Sequence, residues 1–222
     1  MYDYDALVWL ALSCAGVRVL YLWVDHVLAN RNPKYARLPV DRKMYIQKNL
    51  VKSTVLAFLC VVAVIYIVVP VTQFEYWDNY AIHRLAVVYV SNDVVGLICV
   101  DKLPMTTRIH HIITTSLVVV SLGIDFATSD IGQAMVVYTC ASATAYIVNF
   151  HLGVRWLCAR DALQWLRYSA AVVYVCCCGC SWSWHVHWLW TTSRLNIYHA
   201  LYIFMLGWIV RDDVILMQWL TT

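Results

Sequence analysis

Charge is scarce in this chain. Its 222 residues hold 16 Lys and Arg and 13 Asp and Glu, while 62% are hydrophobic. Soluble domains are about 25% charged and about 45–50% apolar. A charged fraction of 13% therefore excludes a large soluble core and points to an integral membrane protein. One membrane domain uses most of this length. The net charge of +3 is too small for nucleic-acid recognition, and the basic residues sit in loops rather than on one face. Other absences narrow the chemistry. There is no phosphate-binding loop, no Ser-His-Asp pattern and no His-Glu-x-x-His run. The nine Cys lack paired metal or redox spacing. Cys176, Cys177, Cys178 and Cys180 lie in an apolar run and read as small packing residues. No cofactor and no metal site is expected. Met1 to Asp5 carries no positive leader, so no cleaved signal peptide is expected. No strand alternation, low-complexity tract or transporter-like inverted repeat is visible.

What is present is a series of membrane-length apolar stretches. A spanning helix needs about 20 mostly apolar residues. The pattern predicts seven spans, near 6–28, 49–69, 80–100, 104–124, 131–152, 168–190 and 195–217. Arg211-Asp212-Asp213 interrupts the last, and Val214 to Leu220 is an alternative surface segment. Pro70 is expected to close the second span. Pro104 suits the first turn of the fourth, with Asp101 placed to cap or precede that turn. Positive residues gather in alternate loops: Arg31, Lys34, Arg37, Arg42, Lys43 and Lys48, then Lys102 and Arg108, then Arg155, Arg160 and Arg167. The other loops have only Arg84 and Arg194 at their edges. This asymmetry places the N-terminus on the non-cytosolic side and the C-terminus in the cytosol. Trp182, Trp184, Trp188 and Trp190 read as an interface anchor at the non-cytosolic end of the sixth span. Residues 1–44 form a first span with its basic loop, and 45–222 form the main membrane domain.

Ionisable residues inside spans mark working sites by default, because lipid penalises them. Asp93 lies within the third span, and His110-His111 opens the fourth. At about 1.5 Å per residue, both sit roughly 10 Å from the connecting turn, at similar depth on antiparallel helices. A hydrogen bond from one histidine to Asp93 would orient the ring and raise its basicity. Adjacent histidines diverge by about 100°, so they face different directions. Thr114 (or Thr115) lies one turn along and is placed in the same polar patch, as is Asn92. Asn149, His151 and Arg155 end the fifth span near the same side and are expected to line the same cavity or anchor it at the interface. His199 is placed to reach the interior. His185 and His187, two residues apart among tryptophans, read as wet-surface groups. His83 and Arg84 read as ordinary span-end residues.

These residues carry a resemblance to the TLC-domain family, the membrane domain shared by ceramide synthases, translocon-associated TRAM proteins and lipid-regulating TLC proteins. Asn49-Leu50-Val51-Lys52-Ser53 resembles the start of that domain. Tyr89, Asp93, Val94 and Val95 resemble the aromatic-then-Asp pattern of its next span. His110-His111-Ile112-Ile113-Thr114 resembles the His-His-x-x-Thr opening of the synthase signature. Ser142, Thr144, Asn149 and Arg155 resemble a later helix. The resemblance covers about residues 45–215. It implies six helices, here 49–217, forming a barrel around a lipid-accessible interior, with the first span outside. Where the synthases carry a His-Asp-x-x-Asp run, this chain has Tyr138-Thr139-Cys140-Ala141-Ser142.

Two functions follow as expectations. In the first, the chain binds lipid in a polar-lined intramembrane cavity and influences membrane lipid composition, in the endoplasmic reticulum or another endomembrane, with membrane lipids as its partners. Asp93, His110, His111, Thr114, Asn149, His151, Arg155 and His199 would meet the lipid, with basic rims attracting anionic headgroups. In the second, the chain is an acyltransferase that takes acyl-CoA as co-substrate. His110 and His111 would supply the general base and Asp93 would hold its tautomer.

Overall fold

The computed structural model describes residues 2–192 and 195–221, apart from the side chain of Arg160. Met1, Arg194 and Thr222 lie outside the described residues. Within them the chain is all-helical, with no strand. The helices are α1 (Tyr4–Arg31), α2 (Pro33–Ala36), α3 (Val40–Ala63), α4 (Val69–Phe74), α5 (Asn79–Cys99), α6 (Met105–Ser121), α7 (Asp130–Ala143), α8 (Tyr146–Val154), α9 (Arg160–Thr191) and α10 (Ile197–Thr221), with a π-helical turn at Val64–Val68.

Four helical stretches are long and apolar enough to cross a membrane: Tyr4–Arg31, Val40–Phe74, Asn79–Cys99 and Asp130–Val154. The others differ for visible reasons. Helix α6 has 17 residues, α10 carries Arg211-Asp212-Asp213, and α9 dilutes its valines with Ser, Trp and His. Apolar residues cover the outside of the bundle, among them Trp9, Leu12, Trp23, Phe58, Val61, Ile65, Val172 and Phe204, whereas Ser91, Asn92 and Asp93 inside it have no exposure at all. That is the reverse of a water-soluble protein.

Local chemistry sets the helix boundaries. Asp3, Asp78 and Ser129 cap α1, α5 and α7 by accepting the backbone N–H of Ala6, Ala81 and Gly132. Pro70 does not end its helix. The π turn at Val64–Val68 immediately precedes it and absorbs the hydrogen bond and the space that a proline ring denies to the preceding turn. The helix stops at Glu75, whose φ of 52° is left-handed, with the Tyr76 N–H returning to the Pro70 carbonyl. Asp101 precedes α6 without capping it. Pro104 occupies the cap position and Asp101 offers only its carbonyl, to Arg108.

The stretch expected as one span at 131–152 is broken at Thr144-Ala145. The Thr144 hydroxyl donates to the Ala141 carbonyl at 2.6 Å, and Ser142 donates to Thr139 at 3.0 Å. These side chains compete with the backbone ladder and kink it. Helix α10 runs unbroken to Thr221, so Val214 to Leu220 is not a separate segment. Helix α3 runs without a break through residues 44 and 45.

Helices pack in a closed circuit: α3 against α5, α5 against α6, α6 against α10, α10 against α9, α9 against α7 and α8, and these back onto α3. Helix α1 lies outside this circuit against α3 and α5. It is fastened near its C-terminal end by Asp25, which accepts from Tyr35 at 2.6 Å and Gln47 at 2.9 Å, and midway by Tyr21, which donates to Asn92 at 3.0 Å. At its start, Asp3 accepts from Arg84 at 2.7 Å and lies 3.1 Å from His83, while its N–H donates to the Leu122 carbonyl. His83 and Arg84 thus close this end of the bundle rather than merely ending a span.

Among the glycines, the closest approach to a neighbouring helix is at Gly153, where an added Cβ would lie 2.7 Å from Leu50 Cδ2 and 3.2 Å from the Leu50 backbone nitrogen. Gly153→Val should lower the thermal midpoint, at an overpacking cost of about 1–3 kcal/mol. Gly179→Ala, which meets nothing within 4 Å, should leave the midpoint unchanged or raise it. Equal losses in both would show that the α3–α8 contact is not tight.

The Asp3 clasp predicts a pH dependence. The Arg84 hydrogen bond holds the Asp3 carboxyl below its ordinary value of 3.8. A carboxylate more acidic when folded contributes its stability above the unfolded value and loses it as pH falls through the folded one. A spin label at Tyr4 should therefore gain mobility as pH drops below 3.8. In Asp3→Asn the label should be mobile at every pH. A pH-independent wild type would show that the clasp does not hold α1.

Candidate functional site

On α3, residues three to four apart share a face, and Tyr45, Lys48, Asn49, Lys52 and Leu56 point into a cavity of about 760 Å³. Opposite them stand Tyr89 of α5, His110 and His111 of α6, Tyr138 and Ser142 of α7, Asn149 of α8, and Asp212 and Asp213 of α10. Arg42, Lys102, Arg155, Trp156 and Trp219 also line it. The cavity thus lies at the end of the bundle that carries the basic loops. Lys102 contacts Asp41 beside it.

Lys48, Lys52 and His111 line the cavity, and Asp93, which does not line it, is buried behind them; the four form one ionisable cluster. Asp93 accepts from Lys52 Nζ at 2.5 Å through Oδ1. Its Oδ2 lies 3.2 Å from His111 Nδ1. That approach is bent, and neither atom has a hydrogen-bond partner. On the other side of the ring, Lys48 Nζ lies 2.9 Å from His111 Nε2. A lysine ammonium can only donate, so Nε2 accepts and the ring hydrogen sits on Nδ1, facing Asp93. Asp93 therefore meets one histidine of the pair, and that histidine is His111.

His110 turns toward α10, with Nδ1 3.5 Å from Asp212 Oδ2 and no hydrogen-bond partner. The two imidazoles meet edge to face at 5.6 Å. Next to them, Asp213 accepts from Tyr174 at 2.7 Å and Tyr138 at 3.2 Å. The Tyr89 and Ser142 hydroxyls are 2.8 Å apart.

A second cavity, of about 70 Å³, is almost entirely apolar. Leu59, Ala63, Ile82, Leu117, Met135 and Leu206 are among its lining, and Tyr89 and Tyr138 belong to both cavities. Polar chamber and apolar pocket therefore adjoin at the two tyrosines.

The remaining expected site residues divide. Asn149 lines the chamber, with its amide donating to the Ala145 carbonyl. Arg155 lies at its edge over aromatic rings, 4.0 Å from the centroid of Trp156 and 5.2 Å from those of Tyr45 and Trp219. Thr114 faces the apolar cavity, and its hydroxyl is spent on the carbonyls of His110 and His111. His151 is buried beside Trp219 but does not line the chamber. His199 belongs to a different cluster, bonded to Asp130 at 2.9 Å and stacked on Trp188. His185 is not a wet-surface group: it is buried, bonded to Tyr202 at 3.0 Å and to the Ser181 carbonyl at 2.8 Å. Cys176 and Cys180 are exposed rather than packed inside. Among the described residues no three His, Cys, Asp or Glu side chains are grouped to hold a metal.

Sequence reasoning missed Lys48, Lys52, Asp212 and Asp213 as site residues. The rule that selected Asp93 applies equally to Lys52, an ammonium at the edge of a span, and to Asp212 and Asp213 in an apolar helix. The i, i+4 spacing of Lys48 and Lys52 puts both on one face.

Removing one member of a buried ion pair costs about 3–5 kcal/mol, while replacing both with apolar groups costs far less. Lys52→Met should therefore unfold the protein at lower temperature than the Lys52→Met/Asp93→Leu double variant. A double variant that is less stable than Lys52→Met alone would show that Asp93 draws its support from elsewhere.

Comparison with family models, with curated proteins and with solved structures finds no match.

Proposed function

We propose that this chain is a multi-pass membrane protein of the TLC type that holds one amphiphilic lipid inside its helical circuit and thereby influences membrane lipid composition. All seven helical rods cross the bilayer in this reading, with α3 to α10 as the barrel and α1 outside it. The N-terminus is non-cytosolic, and the basic loops face the cytosol of an endoplasmic-reticulum or related membrane.

One observation carries the proposal: the polar chamber and the apolar pocket share Tyr89 and Tyr138. An amphiphile needs both environments in continuity. Its headgroup would meet Arg42, Lys48, Lys102 and Arg155 in the chamber, and its chain would pass the tyrosines into the pocket. Cations around the chamber favour an anionic headgroup.

A specific contact also favours acyl transfer as a second reading. His110 faces the chamber beside Asp212 with a ring nitrogen that has no hydrogen-bond partner. The carboxylate absent near Tyr138 is thus supplied from α10. His111, whose Nε2 is taken by Lys48 at 2.9 Å, is the poorer base for a bound substrate. In this reading acyl-CoA is the co-substrate and His110 takes the proton of the attacking amine or hydroxyl.

Mass spectrometry of lipids that co-purify in mild detergent tests the first reading. One lipid class should be retained, and Ala86→Leu, which narrows the apolar pocket, should reduce its retention. A lipid profile equal to that of the bulk membrane, unchanged in the variant, would sink the proposal. For the second reading, reconstituted protein with long-chain acyl-CoA and amine or hydroxyl acceptors should form product that disappears in His110→Ala.

A further inference from the structure

Lysines are few in this chain, at positions 34, 43, 48, 52 and 102. Two of them, Lys48 and Lys52, are buried, at 3% and 8% exposure. Lys52 is matched by Asp93. Lys48 has no carboxylate in contact, and its acceptor is the ring nitrogen of His111. Lys52 adds a second ammonium one helical turn away on the same face, where two cations repel.

The route of the side chain is also built. The Lys48 stem lies against Gly96 of α5, where a Cβ would sit 3.0 Å from Lys48 Cε and 3.3 Å from Cδ. The glycine leaves the space through which the lysine reaches α6. Lys48 also lines the large chamber, so its nitrogen stands at a cavity wall with a base behind it.

A nucleophile within hydrogen-bond reach of a base, and that base oriented by a carboxylate, is the arrangement that activates nucleophiles on many folds. Here the spacings are 2.9 Å from Lys48 Nζ to His111 Nε2 and 3.2 Å from His111 Nδ1 to Asp93 Oδ2. We propose that Lys48 is a nucleophilic lysine, activated by His111 and Asp93, which forms a reversible imine with the aldehyde group of an amphiphile in the chamber.

The step balances without any redox partner. His111 Nε2 takes a proton from the Lys48 ammonium, and Asp93 stabilises the imidazolium that forms. The freed lone pair attacks the carbonyl carbon, forming the C–N bond, and the carbonyl oxygen takes a proton from His111. The resulting carbinolamine loses its oxygen as water, with a second proton from nitrogen. A protonated imine remains, and water is the only other product.

The choice of a long-chain aldehyde rests on the lipid-binding reading, whereas the reactivity of Lys48 does not. The full chain in detergent is incubated with propanal or with hexadecanal, reduced with borohydride, and mapped by peptide mass spectrometry over all five lysines. Both aldehydes should be trapped on Lys48 faster than on Lys34, Lys43 or Lys102, and hexadecanal should react faster than propanal. His111→Gln should slow trapping about a hundredfold, the low end for a positioned base, and Gly96→Val should suppress it by displacing the stem. The wild-type map alone decides the case if either variant fails to fold. Propanal trapped on the exposed lysines with Lys48 silent overturns the inference and leaves the lipid reading standing. Propanal trapped on Lys48 with no advantage for hexadecanal supports the nucleophile and overturns the amphiphile as its partner.

Discussion

A carboxylate with no exposure to solvent, Asp93, is the constraint around which this bundle is organised. An ionised carboxylate in an apolar interior loses several kcal/mol of hydration even after relaxation, and the loss is offset only by close cations and hydrogen bonds. Helix α3 meets this demand with Lys52 and α6 with His111. Three helices are thereby held in one register: Lys52 fixes the rotation of α3 against α5, and His111 fixes that of α6. Lys48 follows from the same arrangement, since His111 presents its second nitrogen to the chamber side and α3 supplies the donor.

The polar interior is arranged in separate groups rather than spread evenly. Asp93 and its cations occupy the α3–α5–α6 side, while Asp212, Asp213 and their tyrosine donors occupy the α10 side. Between them lies the chamber, and below the two shared tyrosines the lining becomes apolar. Tyrosine suits this border, because its ring tolerates hydrocarbon and its hydroxyl requires a partner. Tyr89 finds that partner in Ser142 and Tyr138 finds it in Asp213. At the opposite end, Asp3, His83 and Arg84 join the first turn of α1 to α5 and the end of α6. Both ends of the bundle are therefore tied by charged groups, but only one of them encloses a large space.

Much of this was legible in the sequence. Apolar runs located the helical rods, and the depth argument placed Asp93 beside one histidine of the pair. What escaped did so for physical reasons. The kink at Thr144-Ala145 depends on hydroxyls that bond either outward or back onto their own helix, and composition does not decide between these. Lys48 looked like a loop cation because charge normally ends a span. Here α3 begins at Val40, so Lys48 sits two turns inside a helix. Asp212 and Asp213 looked like a breach in an apolar helix, but their partners Thr107, Tyr138 and Tyr174 lie 39 to 105 residues away. His199 does reach the interior, but its partner Asp130, 69 residues away in sequence, becomes a neighbour only through packing.

The rod Val40–Phe74 has 35 residues, about 52 Å at about 1.5 Å per residue. A bilayer's hydrocarbon layer is about 30 Å thick. Continuity through the π turn at Val64–Val68 lets this helix outreach the oil by several turns. Where the rod crosses the bilayer, its surplus leans over or stands among the headgroups. Where the basic first turns of that rod belong to the surplus, bilayer thickness sets how far Lys48 stands from the phosphate layer, since a thinner sheet lifts this end outward and a thicker one draws it in. Lipid composition, by fixing that thickness, would act on the mouth of the chamber.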